Sequence, residues 1–188
     1  AALKEHPTLN SELDEASNDI IVKKYYNIGI AVDTENGLMV PVVKGVDQKD
    51  KIIIAKEIEN LAEAARTRKI DLADLQGSTF TITNVGSLGG VFATPIINYP
   101  ESAILALGKI QDKPVIVNGK LETRKILPLS LAFDHRILDG AEAARFTNRL
   151  IDEHADFYSE LMSLGIKKEI IFGEVKYNPS LIKKEEIN

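Results

Sequence analysis

The spacing of apolar positions divides the chain into short segments of changing period. Residues 20–33 are rich in β-branched and aromatic side chains and alternate well enough to predict a strand. Asn36-Gly37 closes a turn over 34–37, and residues 38–43 return as a second strand. Pro41 has no N–H to donate, which puts that strand at an edge or a bulge. Across 50–69 the period lengthens: Ile54, Ile58, Leu61 and Ala65 make one stripe of an amphipathic helix. A strand is predicted over 79–84, followed by a glycine-rich stretch at 86–90 and a short apolar strand at 103–107. Asn118-Gly119 joins 114–117 to the residues from Lys120 onward as a hairpin, and 126–133 forms the last strong strand. After Gly140 the helical period returns, with Ala143, Phe146 and Leu150 on one face.

The ends read differently. Ala1 to Pro7 looks like the last turn of a helix stopped by proline, which suggests a piece of a longer protein. Past Leu164 the pattern becomes mixed and charged, so residues 1–164 are expected to fold as one domain and 165–188 to form an irregular tail. Strands outnumber helices without regular βαβ alternation. That predicts an α+β domain built on a mixed sheet.

Composition narrows the function. With no Trp and few aromatics, the core must rest on Ile, Leu, Val and Ala. A net charge of −5 offers no basic footprint for nucleic acid, though it leaves room for a local basic pocket. The chain has no cysteine, hence no disulfide framework, thiolate metal site or Cys nucleophile, and a reducing, cytoplasmic location is expected. No apolar run is long enough to cross a membrane and no signal peptide opens the chain.

Three histidines are the main candidates for chemistry. His6 beside Pro7, and His154 among acidic residues on a polar helix face, are expected to face solvent. No His-Glu-x-x-His or Cys/His cluster supports a metal. Gly86 to Gly90 fits neither nucleotide-loop pattern and reads as a turn where backbones approach closely. His135 stands at the end of an apolar strand, where a side chain is held rigidly yet stays reachable. Asp139 followed by Glu142 also makes an ordinary helix start, on which His135 would be a satisfied core histidine.

The surrounding blocks decide between these. Asp134-His135-Arg136, two apolar residues and Asp139-Gly140-Ala141 resemble the signature of the dihydrolipoamide acyltransferase catalytic core. So do Phe80 to Asn84 before Gly86, Thr94 to Asn98 with Pro100, Tyr25 to Ala31, and Asn36 to Leu38, all in order between Ala1 and about Leu150. The resemblance implies a fold shared with chloramphenicol acetyltransferase, a mixed sheet flanked by helices. It implies homotrimers that assemble into a larger hollow core with active sites between subunits. His135 would be the general base, Thr83 the hydroxyl steadying the oxyanion from across the interface, and Asp139 a structural carboxylate holding the histidine loop. In the family that carboxylate's partner is an arginine nearer the chain start, in a segment ahead of Ala1; Arg136 is a local candidate here. Asp134 is expected to point away from His135 and to be structural.

The implied reaction passes an acyl group between dihydrolipoamide and coenzyme A, with the lipoyl group carried on a separate domain and no metal. Implied partners are that lipoyl domain and the 2-oxo acid decarboxylase and dihydrolipoamide dehydrogenase components. Two other readings stay open: a non-catalytic scaffold of the same fold, and an acyltransferase of the same superfamily acting on an amine or hydroxyl acceptor. Retention of His135 and Thr83 weighs against the first, and the 81–84 and 94–98 blocks against the second.

Overall fold

The computed structural model describes residues 1–163, with side chains to residue 153. The expected tail and the His154 side chain lie outside the described residues. The chain opens with α1 (Ala2–Glu5), which stops at His6 ahead of Pro7, and a 3-10 turn over Pro7–Asn10. Two hairpins follow, β1 (Ser11–Asp14) on β2 (Asp19–Val22) and β4 (Val32–Thr34) on β5 (Gly37–Met39), with β3 (Ile28–Ile30) between them and β6 (Val42–Val43) after. Helix α2 (Lys51–Arg66) is capped by Asp50, whose carboxylate accepts the N–H groups of Ile52 and Ile53. Then come β7 (Phe80–Asn84), β8 (Ala103–Leu107), the hairpin β9 (Gln111–Val117) and β10 (Lys120–Ile126), β11 (Leu129–Phe133) and α3 (Gly140–Ser163).

Five strands pair in the order β11, β8, β7, β3, β6. The pairs β7–β8 and β3–β7 are parallel, whereas β11–β8 and β3–β6 are antiparallel, so the sheet is mixed as expected. Strand alternation gives it two unlike faces. On one, Phe80, Ile82, Ala103, Leu105, Leu107, Leu131 and Phe133 pack into a core completed by Ala143, Phe146 and Leu150 of α3 and by Leu9. On the other stand Gly29, Thr81, Thr83, Ile104 and Ala106. A side chain at Gly29 would collide with Thr81 and Val40, so this face keeps its strands bare there.

Several predicted strands are shorter than their pattern. The 20–33 run is broken into β2, β3 and β4: buried Asn10 donates to the carbonyls of Lys23 and Tyr25 in the first gap, and the Ala31 N–H bonds the Ile82 carbonyl at the second. Pro41 lies between β5 and β6 and divides 38–43 into these two strands, and β6 stands at the edge of the sheet. Pro128 splits Ile126 from the last strand, which begins at Leu129. The glycine stretch is a close-approach turn: a Cβ on Gly86 would strike the Gly108 carbonyl, and Gly90 accepts the Lys109 N–H at 2.7 Å.

Candidate active site

β11 delivers His135 into a turn at the edge of the molecule. The strand's last residue, Phe133, belongs to the core, and the Asp134 N–H still reaches the Ser102 carbonyl at 2.8 Å. One residue later the ladder ends and His135 is exposed, its ring 5.6 Å from that of Phe133 and tilted by 43°. The chain turns back at once, because the Ile137 and Leu138 N–H groups bond the Asp134 carbonyl and buried Leu138 returns to the core. His135 is therefore carried by a short turn anchored in the core on both sides.

The neighbouring charges hold the turn rather than the imidazole. Arg136 grips Asp134 with two nitrogens, Nε at 3.1 Å and Nη2 at 2.7 Å, and extends Nη1 to Glu15 at 3.0 Å. This guanidinium holds the Asp134 carboxyl below the usual range. Asp134 is thus structural, and Arg136 is not the partner of Asp139. Instead the Asp139 carboxylate caps α3 by accepting the Glu142 N–H at 2.8 Å. A full capping box would turn Glu142 back onto residue 139. Here the Glu142 side chain goes elsewhere, to His6 at 2.8 Å and Arg145 at 2.7 Å, and these hold its carboxyl low. His6 is consequently not the solvent-facing residue its sequence position suggested: its side chain is only 13% exposed and its ring stands edge-on to Phe146.

Thr83 lies elsewhere on the same sheet. It is half-buried near the end of β7, on the face away from α3. Register places Thr83 beside Ala106, and Ala106 beside Ser130. From that row to the end of β11 is about 10 Å along the strands, and two strand spacings add about 10 Å across them. His135 lies beyond that end, so within one chain the two side chains stand too far apart to share a reacting atom. The structure brings Asp139 and His135 onto one loop and leaves Thr83 at the opposite end of the sheet.

A buried carboxyl escaped the sequence reading. Glu101 is 6% exposed, and its Oε1 accepts from Ser78 at 2.5 Å, Thr81 at 2.8 Å and Asn98 at 3.0 Å. Among the described residues its Oε2 has no partner, and burial pushes its carboxyl up despite the three donors. Its only sequence signal is an acidic residue at the mouth of an apolar strand. No group of three or more His, Asp or Glu side chains converges as a metal site among the described residues, and no described helix is long and apolar enough to cross a membrane.

The chain is 47% identical over 150 residues to the dihydrolipoyllysine-residue acetyltransferase component of the Bacillus subtilis pyruvate dehydrogenase complex, covering 80% of this chain and 34% of that protein. It thus spans about a third of the length of the relatives it matches. Among solved structures it is similar to an Azotobacter vinelandii dihydrolipoamide acetyltransferase in which the catalytic roles of a serine, a histidine and an asparagine were investigated (TM-score 0.79, 48% identity, 85% of this chain and 65% of that one). It is equally similar to the cubic core of a pyruvate dehydrogenase multienzyme complex (TM-score 0.79, 49% identity, 85% and 65%). The model of the catalytic domain of the 2-oxoacid dehydrogenases acyltransferase family matches residues 1–159, and the chain belongs to that family.

Proposed function

We propose that this chain is the acyl-transfer core of a 2-oxo acid dehydrogenase complex, exchanging an acyl group between dihydrolipoamide and coenzyme A with His135 as general base. The observation that carries the reading is the presentation of His135: exposed, on a core-anchored turn whose neighbouring charges are engaged with one another. The investigated serine and histidine of the Azotobacter enzyme stand fifty-two residues apart, with the asparagine four further on. Thr83, His135 and Asp139 repeat that spacing, with threonine keeping the hydroxyl and aspartate replacing the amide.

Both substrates are thiols, and a thiol of pKa 8–9 is only a few per cent ionised at neutral pH. His135 takes the thiol proton as the sulfur attacks the thioester carbonyl, which becomes a tetrahedral oxyanion. Thr83 of a second copy donates its hydroxyl hydrogen to that oxyanion. Collapse breaks the old carbon–sulfur bond, and the departing thiolate recovers the proton from His135. One base serves both directions because the two half-reactions are mirror images. Asp139 acts at one remove, fixing the start of α3 and with it the loop. The distance between Thr83 and His135 within one chain supports a site completed between copies, and hence a trimer within a larger hollow core like the cubic one. The acyl group we assign is acetyl, the group named for the Bacillus and Azotobacter relatives. A lipoyl group on a separate domain, decarboxylase and dihydrolipoamide dehydrogenase partners, and a cytoplasmic setting complete the proposal. So does a fold boundary near residue 164.

The test is transfer from a panel of acyl-CoAs to free dihydrolipoamide by the purified chain and by His135→Ala. Transfer with a preference for acetyl, lost in the variant, is the expected result. A folded, oligomeric protein with no transfer would mean a scaffold instead.

A further inference from the structure

The loop that carries His135 and Asp139 is attached at both ends to the first fifteen residues of the chain. At its start, Arg136 bridges Asp134 to Glu15 at the tip of the β1–β2 hairpin. Just past its end, Glu142 in the first turn of α3 is bound by His6, and about two turns further Arg149 holds Glu5. The two holds differ in character. Glu15 and Arg136 are each more than half exposed, whereas His6 is 13% exposed and Glu142 23%. The His6 ring is also fixed in orientation, because it stands edge-on to Phe146 at 5.8 Å and 84°, and Phe146 is itself 1% exposed and packed on Phe80.

Glu142 is the joint. Its backbone N–H belongs to Asp139, while its side chain, free of the usual capping role, is committed to His6 and Arg145. To donate to a carboxylate, the His6 ring must carry its proton on Nδ1. The bond therefore ties the first turn of α3 to α1 rather than to itself.

We propose that His6 is a positioning residue for the His135 loop, acting through Glu142 and Asp139; the proposal rests on the reading of His135 as the base. A base must meet the thiol at hydrogen-bond distance, and small misplacements of reacting groups are costly in rate. Loss of the His6 bond frees the α3 end of the loop without touching either substrate, so it lowers kcat and leaves KM nearly unchanged.

The test compares His6→Leu, His6→Asn and His6→Gln in the full chain. Asn places an amide N–H where Nδ1 stands; Gln places it where Nε2 stands. In His6→Leu, kcat is expected to fall about five-fold with KM within about two-fold of the parent, and Asn but not Gln restores it. The second readout is the NMR signal of His135 in protein labelled at the histidine rings, where three histidines give three signals and His135→Ala identifies the one. That signal is expected to move in His6→Leu and return in His6→Asn. Unchanged kcat and signal in His6→Leu, or equal failure of Asn and Gln, overturns the proposal. Should His6→Leu not fold, Glu142→Ala is read by the same two criteria. If the parent transfers no acyl group, the functional reading fails, and the His135 signal alone decides the brace.

Discussion

Two loops leave opposite ends of the sheet and are finished in opposite ways. The loop from Asp134 to Asp139 turns its apolar residues, Ile137 and Leu138, inward and ties its charges to Glu15, Glu142 and, through Glu142, His6. The stretch after β7 does the reverse. Its polar atoms are buried at Glu101, while Leu88, Phe92, Ile96 and Tyr99 are 71–91% exposed. Four large apolar side chains bared on one irregular stretch of a small domain mark a face that another surface covers. The first loop is complete within the chain. The second is completed by a second copy, on the reading proposed here, and it starts from the strand that bears Thr83.

The sharpest way to break that contrast is to place the two halves of the site in different chains. His135→Ala removes the base and is expected to lower transfer about 10²–10⁴-fold. Thr83→Ala removes an oxyanion donor, typically about 2.7–4 kcal/mol of transition-state stabilisation. Each variant alone is nearly dead. Co-expressed in equal amounts, they reassemble intact sites wherever a Thr83→Ala chain offers its histidine to a His135→Ala chain, about a quarter of all interfaces in a randomly mixed cyclic trimer. Activity near that fraction fits a shared site. Activity no higher than the two variants measured apart places the whole site in one chain.

The next largest effect is expected at Ile96. Because the side chain is 91% exposed, Ile96→Asp removes almost nothing from the fold of a single chain. It puts a charge into the covered face instead, so sedimentation should find folded monomer with no transfer, and an undisturbed oligomer would place Ile96 outside the interface.

How far these features could be read in advance follows the reach of the interactions. Helix α2 was legible because Ile54, Ile58, Leu61 and Ala65 repeat at a helical period, and all four turn inward. β8 was legible as an uninterrupted apolar run between turns. The 20–33 segment misled because its first break is held by Asn10, a residue with no local trace in that run. His6 misled for the same reason: a histidine beside a proline at a chain start reads as exposed, and the partner that buries it is 136 residues away. His135, Thr83 and Asp139 were marked by family motifs and not by periodicity, since a strand residue, a turn residue and a helix cap look ordinary one at a time.

Glu101 sharpens the contrast from the buried side. Burial raises its carboxyl pKa in the folded chain above the ordinary glutamate value. The folded state therefore binds this proton more tightly than the unfolded one, and the associated stability is full below that value and lost as pH rises through the raised pKa. Glu101→Gln carries no such charge. Its urea midpoint should match that of the parent near pH 4 and exceed it progressively toward pH 8. A constant offset across that range would mean that Glu101 is solvated or paired in the assembled protein.

The smallest effect asks what the Asp139 carboxylate is for. As the N-cap of α3 it accepts the Glu142 N–H, and asparagine does that nearly as well as aspartate. Asp139→Asn is therefore expected to keep both stability and transfer, and Asp139→Ala to lose about 1 kcal/mol of stability together with part of kcat. If Asn proved as damaging as Ala, the negative charge itself would be needed, with its cationic partner on another copy, and the His135 loop would then depend on a neighbour just as the Ile96 stretch does.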